Sequence, residues 1–169
     1  MKANFEKSLK YVLESEGGYS SDKIDRGGET YFGISRKAYP KEDIKNMTLE
    51  RATEIYHSEY WMPIKGDDLP SGVDYVVFDS AVNHGPKNAV MFLQKAANRM
   101  MAGLTVDGIL GSKTLNMVKN NGGILITDIL RERDIFYSKI VANDPTQERF
   151  SRGWANRLAK VAVNSREFA

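Results

Sequence analysis

The chain has 169 residues, 24 basic against 22 acidic side chains, two histidines and no cysteine. That length suits one domain or two small lobes around a real core. The nearly balanced charge gives no ground for a nucleic-acid partner, the missing thiols exclude disulfides and thiolate metal sites, and no stretch is long and apolar enough to span a bilayer.

Helical patterns dominate, and the first runs roughly from Asn4 to Ser15. At about 100° per residue, Phe5, Leu9, Val12 and Leu13 fall in one apolar stripe. Glu16 lands inside that stripe, whereas Glu6 lies at its edge and Glu14 points toward solvent. A carboxyl aimed at a core is costly unless it is paired, hydrogen-bonded or protonated. Gly17-Gly18 then stops the helix, so Glu16 is expected where packed helix opens into loop, a position that suits a general acid. The plainer alternative is a helix-end glutamate reaching past the last apolar turn into water.

The segment Ser20 to Ser35 is rich in turn formers, with Gly27, Gly28 and Gly33 supplying backbone freedom. Thr30-Tyr31-Phe32-Gly33-Ile34 predicts a small strand, weakened by its glycine. Asp25 follows Glu16 by nine residues and Thr30 comes five later. A Glu at a helix end facing an Asp and a Thr across a Gly-rich turn suits glycoside hydrolysis. One carboxylic acid protonates the leaving oxygen, a second carboxylate stabilises positive charge or activates water, and a hydroxyl holds that water. Asp22 is the rival for the second carboxylate, and an Asx-turn is the structural alternative for both aspartates.

Further on, Thr48 caps a predicted helix from Leu49 that carries Ala52, Ile55, Tyr56 and Tyr60, ended by Pro63 and Gly66. A third helix starts near Ser71 and turns Val73, Val76, Val77 and Ala81 inward. On it, Asp79 and Asn83 share a face, as substrate-binding candidates or as a hydrogen-bonded pair fixing the turn at Gly85. Pro86 opens the next helix, which carries Ala89, Val90, Leu93, Ala96, Ala97 and Met100. Ser112 caps a short helix, Ile124 to Val141 make a long one and Gln147 to Val163 the last. The basic residues Arg131, Arg133, Lys139, Arg149, Arg152, Arg157, Lys160 and Arg166 gather here among Glu132, Asp134 and Glu148, and a solvated helix face is expected of them. Tyr19, Tyr60 and Trp61 have the flat ring and polar tip that stack on sugars, with core packing favoured for Trp61. His57 and His84 lack the His-Glu-x-x-His pattern and no Gly-x-Ser-x-Gly elbow occurs, so no metal or serine-nucleophile site is expected.

Several of these motifs occur in one order that resembles the glycoside hydrolase 108 family of lysozyme-like N-acetylmuramidases. They are Glu16-Gly17-Gly18-Tyr19, Asp25-x-Gly27-Gly28-Glu29-Thr30-x-x-Gly33-Ile34-Ser35, Tyr56-x-x-x-Tyr60-Trp61 and Asp79-Ser80-Ala81-Val82-Asn83-His84-Gly85. Leu93-Gln94-Lys95-Ala96, Val106-Asp107-Gly108-Ile109-Leu110-Gly111-Ser112-Lys113-Thr114 and Gly153-Trp154-x-x-Arg157 complete the set.

The resemblance implies a mainly α, lysozyme-like, two-lobed helical body with a small β or loop element after the catalytic helix. It implies a catalytic region over 1–85 and a C-terminal helical, peptidoglycan-binding lobe over 86–169. Glu16 becomes the catalytic acid, Asp25 the second carboxylate and Thr30 the water holder, although phage-type lysozymes space the last pair one residue wider. Tyr19, Asp79 and Asn83 would line the substrate cleft. The expected reaction is hydrolysis of the β-1,4 bond between N-acetylmuramic acid and N-acetylglucosamine in peptidoglycan, by inversion and without a cofactor. The family also includes phage and prophage endolysins and "putative secretion activator" proteins. No apolar h-region precedes the first helix, so accumulation in the bacterial cytoplasm is expected, with a holin or export system for release to the wall. The competing classes are a wall-binding secretion accessory with little catalysis and a lytic transglycosylase.

Overall fold

A computed structural model describes residues 2–16 and 29–168. Helix α1 (Lys2–Glu16) buries Phe5, Leu9 and Val12, leaves Glu6 and Glu14 exposed, and ends on Glu16. The apolar stripe in the sequence is therefore the packed face.

The expected single strand is a minimal hairpin. β1 (Thr30–Tyr31) pairs antiparallel with β2 (Ile34–Ser35), Thr30 opposite Ser35. Phe32 and Gly33 form the two-residue turn, both with positive φ (50° and 77°), as a primed hairpin turn requires. Tyr56 donates its Oη hydrogen bond to the Phe32 carbonyl at 2.8 Å, which pins the turn to the helix behind it.

That helix is α2 (Leu49–Tyr56), capped by the Thr48 hydroxyl, which accepts from Arg51 N at 3.2 Å. The chain then widens into a π-helical turn over His57–Trp61 instead of continuing as α-helix. The register shift sends Trp61 into the core, 5.3 Å from the Phe5 ring and 5.4 Å from Phe78.

α3 (Val73–His84) is the central element and packs against α1, α4, α5 and α6. It is buried on all sides from Val73 to Ala81, so its apolar residues mark no single face. Its buried Asp74, Asp79 and Ser80 side chains are hydrogen-bonded, whereas the buried His84 Nε2 has no partner among the described residues. Asp74 accepts from Gly72 N and Asn4 Nδ2, and Ser80 Oγ donates to the Val76 carbonyl. Gly85 separates α3 from α4 (Pro86–Asn98), with Pro86 in the first turn where no N–H is missed.

The two helices expected after Ser112 are present and meet at a kink at Asn121 (φ −137°, ψ 18°), together forming α5 (Ser112–Asn143). Asn120-Asn121-Gly122-Gly123 reads as a break in sequence, and the helical path does break at Asn121. Gly122 sits against Pro70, and a Cβ there would come within 2.8 Å of the proline ring. The last helix starts later than expected: Pro145–Phe150 form a 3₁₀ turn, and α6 runs Ser151–Ser165. Phe168 then stacks on Tyr75, centroids 5.0 Å apart, and its carbonyl accepts from Ser71 Oγ at 2.6 Å, closing the C-terminus over α3. Among the described residues, no helix is long and apolar enough to cross a membrane.

Candidate active site

Glu16 sits on the apolar face of α1 at its last residue, where burial would penalise a lone carboxylate. Its side chain is 23% exposed and its Oε1 accepts from Nη1 of Arg157 on α6 at 2.8 Å. The same guanidinium turns its other side to Asp79 on α3, Nη2 lying 2.9 Å and Nε 3.3 Å from Oδ2. Asp79 Oδ1 in turn accepts from Nη1 of Arg133 on α5 at 2.8 Å. Four helices thus contribute one alternating chain of charge, Glu16–Arg157–Asp79–Arg133.

The electrostatics follow from the geometry. Burial alone would lower the Arg157 pKa, but the Asp79 carboxylate, and after it Glu16, outweigh that and hold the guanidinium more firmly protonated than usual. Tyr56, beside Glu16, has its phenol pushed up first by burial and then by the Glu16 charge, so it stays a neutral donor to Phe32.

The hairpin closes against the acid. A Cβ on Gly33 would lie 2.9 Å from Glu16 Cγ and 2.6 Å from Tyr56 Oη, so only glycine lets the turn approach this carboxyl. Thr30 lies half-buried on β1 of that hairpin. Tyr60 is half-buried behind it, its Oη 3.3 Å from that of Tyr39.

The structure brings Glu16, the Thr30 hairpin and Asp79 to one place. Tyr19, Asp22 and Asp25 lie outside the described residues. Asp79 is 1% exposed and its carboxylate is taken by two arginines. Asn83 is exposed, and its amide donates to the Asp79 backbone carbonyl at 2.7 Å, so the two share a face without joining side chains. Trp61 is in the core, at 1% exposure.

Sequence reasoning placed Arg133 and Arg157 on a solvated face. That expectation holds for the exposed Arg131, Lys139, Arg149, Arg152, Lys160 and Arg166, and fails for these two. Arg133 is fully buried, on the α5 stripe of Ile129, Leu130 and Tyr137. Arg157 shares the inward side of α6 with Trp154 and Val161, and Trp154 stacks on Tyr137 at 4.5 Å. A charge inside an apolar stripe, the signal that exposed Glu16, was present at both.

The Val106-to-Thr114 motif closes on itself. Buried Gln94 accepts from the backbone N–H of Asp107 (3.1 Å) and Gly108 (2.9 Å) and donates to Asp107 Oδ1 at 2.8 Å. Gly108 (φ 77°) passes too close to Lys87 for any side chain. No group of His, Cys, Asp or Glu among the described residues could hold a metal.

A helical body with a carboxylate at the end of its first helix, and a short hairpin against that carboxylate, has the organisation of a lysozyme-like protein. The glycosyl hydrolase 108 pattern matches residues 9–85, and the "Predicted Peptidoglycan domain" pattern matches 88–159. The structure of Brucella abortus SagA superposes with a TM-score of 0.82 at 33% identity, over 99% of this chain and 97% of that one. No curated protein matches. The chain belongs to the glycosyl hydrolase 108 family. It is a glycoside hydrolase with a C-terminal segment of peptidoglycan-binding type, and together these point to a peptidoglycan hydrolase.

Proposed function

We propose that the protein is an N-acetylmuramidase that cuts the β-1,4 bond between N-acetylmuramic acid and N-acetylglucosamine. The observation that supports this most is Glu16, an inward-facing carboxyl at a helix end, partly open to solvent and crowded by the Gly33 hairpin. In this reading Glu16 protonates the leaving glycosidic oxygen. Asp25 is the base or electrostatic partner, and Thr30 holds the attacking water. A carboxyl separation of roughly 6.5–9.5 Å would leave room for that water and give inversion, whereas about 5 Å would give a covalent intermediate.

Tyr19 and Asn83 contact the glycan, while Asp79 serves the cleft through Arg157. Residues 1–85 carry the chemistry and 86–169 hold the wall. The setting is lysis by a phage or prophage, or wall remodelling for secretion, reached from the bacterial cytoplasm through a holin or export system.

The test is digestion of purified peptidoglycan by wild type and Glu16→Gln, with products read by mass spectrometry. Reducing N-acetylmuramic acid ends, lost at least about 100-fold in Glu16→Gln, are expected if Glu16 is the general acid. Anhydro ends would make the enzyme a lytic transglycosylase. Wall binding without cleavage by wild type would make it an accessory protein, and full activity in Glu16→Gln would remove Glu16 from the chemistry.

A further inference from the structure

The chain Glu16–Arg157–Asp79–Arg133 contains two carboxylates and two guanidiniums, so it sums to zero only while Glu16 is ionised. A general acid must carry a proton when it meets the glycosidic oxygen. A proton added while Arg157 still holds Glu16 would leave the cluster with one excess positive charge where little water reaches, since Arg133 is fully buried and Arg157 is 16% exposed. The resting contact and the working acid are therefore two different states of the same carboxyl.

The two ends of Arg157 are held unequally. Toward Asp79 it presents Nη2 and Nε, and Asp79 is anchored from behind by Arg133. Toward Glu16 it presents Nη1 alone, at 2.8 Å. Glu16 is also the more exposed carboxylate, 23% against 2% for Asp79. If one link opens, it is the Glu16 link, and Arg157 stays with Asp79.

Resting on the muramidase reading, we propose that Arg157 is a positioning residue that holds Glu16 in the resting enzyme and hands it over when substrate enters. Incoming glycan takes the place of Nη1 at the Glu16 carboxyl, Glu16 takes up a proton from solvent, and the Asp79–Arg133 anchor keeps Arg157 from following. Among the described residues, the groups that face Glu16 and its partner are Tyr56 from α2, Tyr75, Asp79 and His84 from α3, Arg133 from α5 and Arg157 from α6. Arg157 is the cation among them that touches Glu16 itself.

The test compares wild type, Arg157→Gln and Arg157→Lys on purified peptidoglycan, following release of reducing ends across pH and wall binding by pelleting, with melting curves on each protein. Loss of a cation beside a carboxyl lets that carboxyl keep its proton to higher pH. Arg157→Gln is therefore expected to move the alkaline limb of the rate profile to higher pH. Its rate at the optimum should fall about 10- to 100-fold as the orientation of Glu16 is lost, with wall binding within about twofold of wild type, since the general acid and not the wall-holding surface is disturbed. Arg157→Lys keeps the charge without the two-sided guanidinium, so its limb should stay at the wild-type position and its rate should lie between the other two. Equal rates and superimposable profiles in all three proteins overturn the proposal. So does a fall in rate that tracks lost wall binding or lost fold while the Arg157→Lys limb matches that of Arg157→Gln. Full activity in Glu16→Gln would instead sink the muramidase assignment, independently of what the Arg157 variants do.

Discussion

The polar clusters inside this helical body include one around Asp79 and one around Gln94. The first is built from charges on four separate helices and ends on a carboxyl that reaches solvent. The second is built from one amide on α4 and the loop that follows, and both ends of that amide are spent within the cluster. Both come from segments that carry the family resemblance. A motif can therefore mark a reactive group or a turn that must be locked, and only the fate of each donor and acceptor tells them apart.

The difference predicts unequal costs. Asp79→Ala strands the fully buried Arg133 and leaves Arg157 with Glu16 alone, and should cost about 3–5 kcal/mol in urea unfolding. It should also unseat Arg157 and with it Glu16, so activity and stability fall together. A loss under about 1 kcal/mol would mean that water reaches this cluster and that the charges are not confined as described.

Gln94→Leu removes a neutral amide from a loop whose N–H groups can turn to water. A cost of about 1–3 kcal/mol is expected, with the turnover of the remaining folded enzyme unchanged. A selective fall in turnover would show that the Asp107–Gly108 loop does more than hold its own shape.

The smallest effect concerns His84, at the edge of the charged cluster and ringed by Phe92, Phe136 and Tyr137. Burial first, and then the Arg133 charge, push its pKa down to about 4 from an ordinary 6.5. The unfolded chain therefore binds the proton more readily, and stability from neutral His84 is complete above the unfolded value. It is lost as pH falls from about 6.5 through about 4. Wild type should show a drop in Tm of a few degrees between about pH 7 and about pH 4.5 beyond that of His84→Phe. Parallel curves would remove His84 from the acid sensitivity of the fold.

Much of this was legible before the structure, for reasons that can be named. Glu16 stood out because α1 is half-buried, so its periodicity shows which side is inward. α3 is enclosed on all sides and has no such periodicity, which is why the depth of Asp79 could not be read. Arg133 and Arg157 were legible by the stripe argument but were hidden by counting charges over a segment instead of placing each on its helix. The kink in α5 was legible as a gap between helices because Asn121 and Gly122 weaken local helix preference, while the packing of Gly122 against Pro70 is remote in sequence.

The links between Glu16 and Arg157 and between Arg157 and Asp79 also set an order of events during synthesis. The first joins residues 141 apart and the second residues 78 apart. Helix α1 can form within moments of leaving the ribosome, but the partner that seats its last residue belongs to the final helix. Contacts this distant are made late, after nearer ones have paid for the closure of the chain. A nascent chain that has reached α5 thus contains its acid and most of its core, yet the acid has no seat until α6 docks.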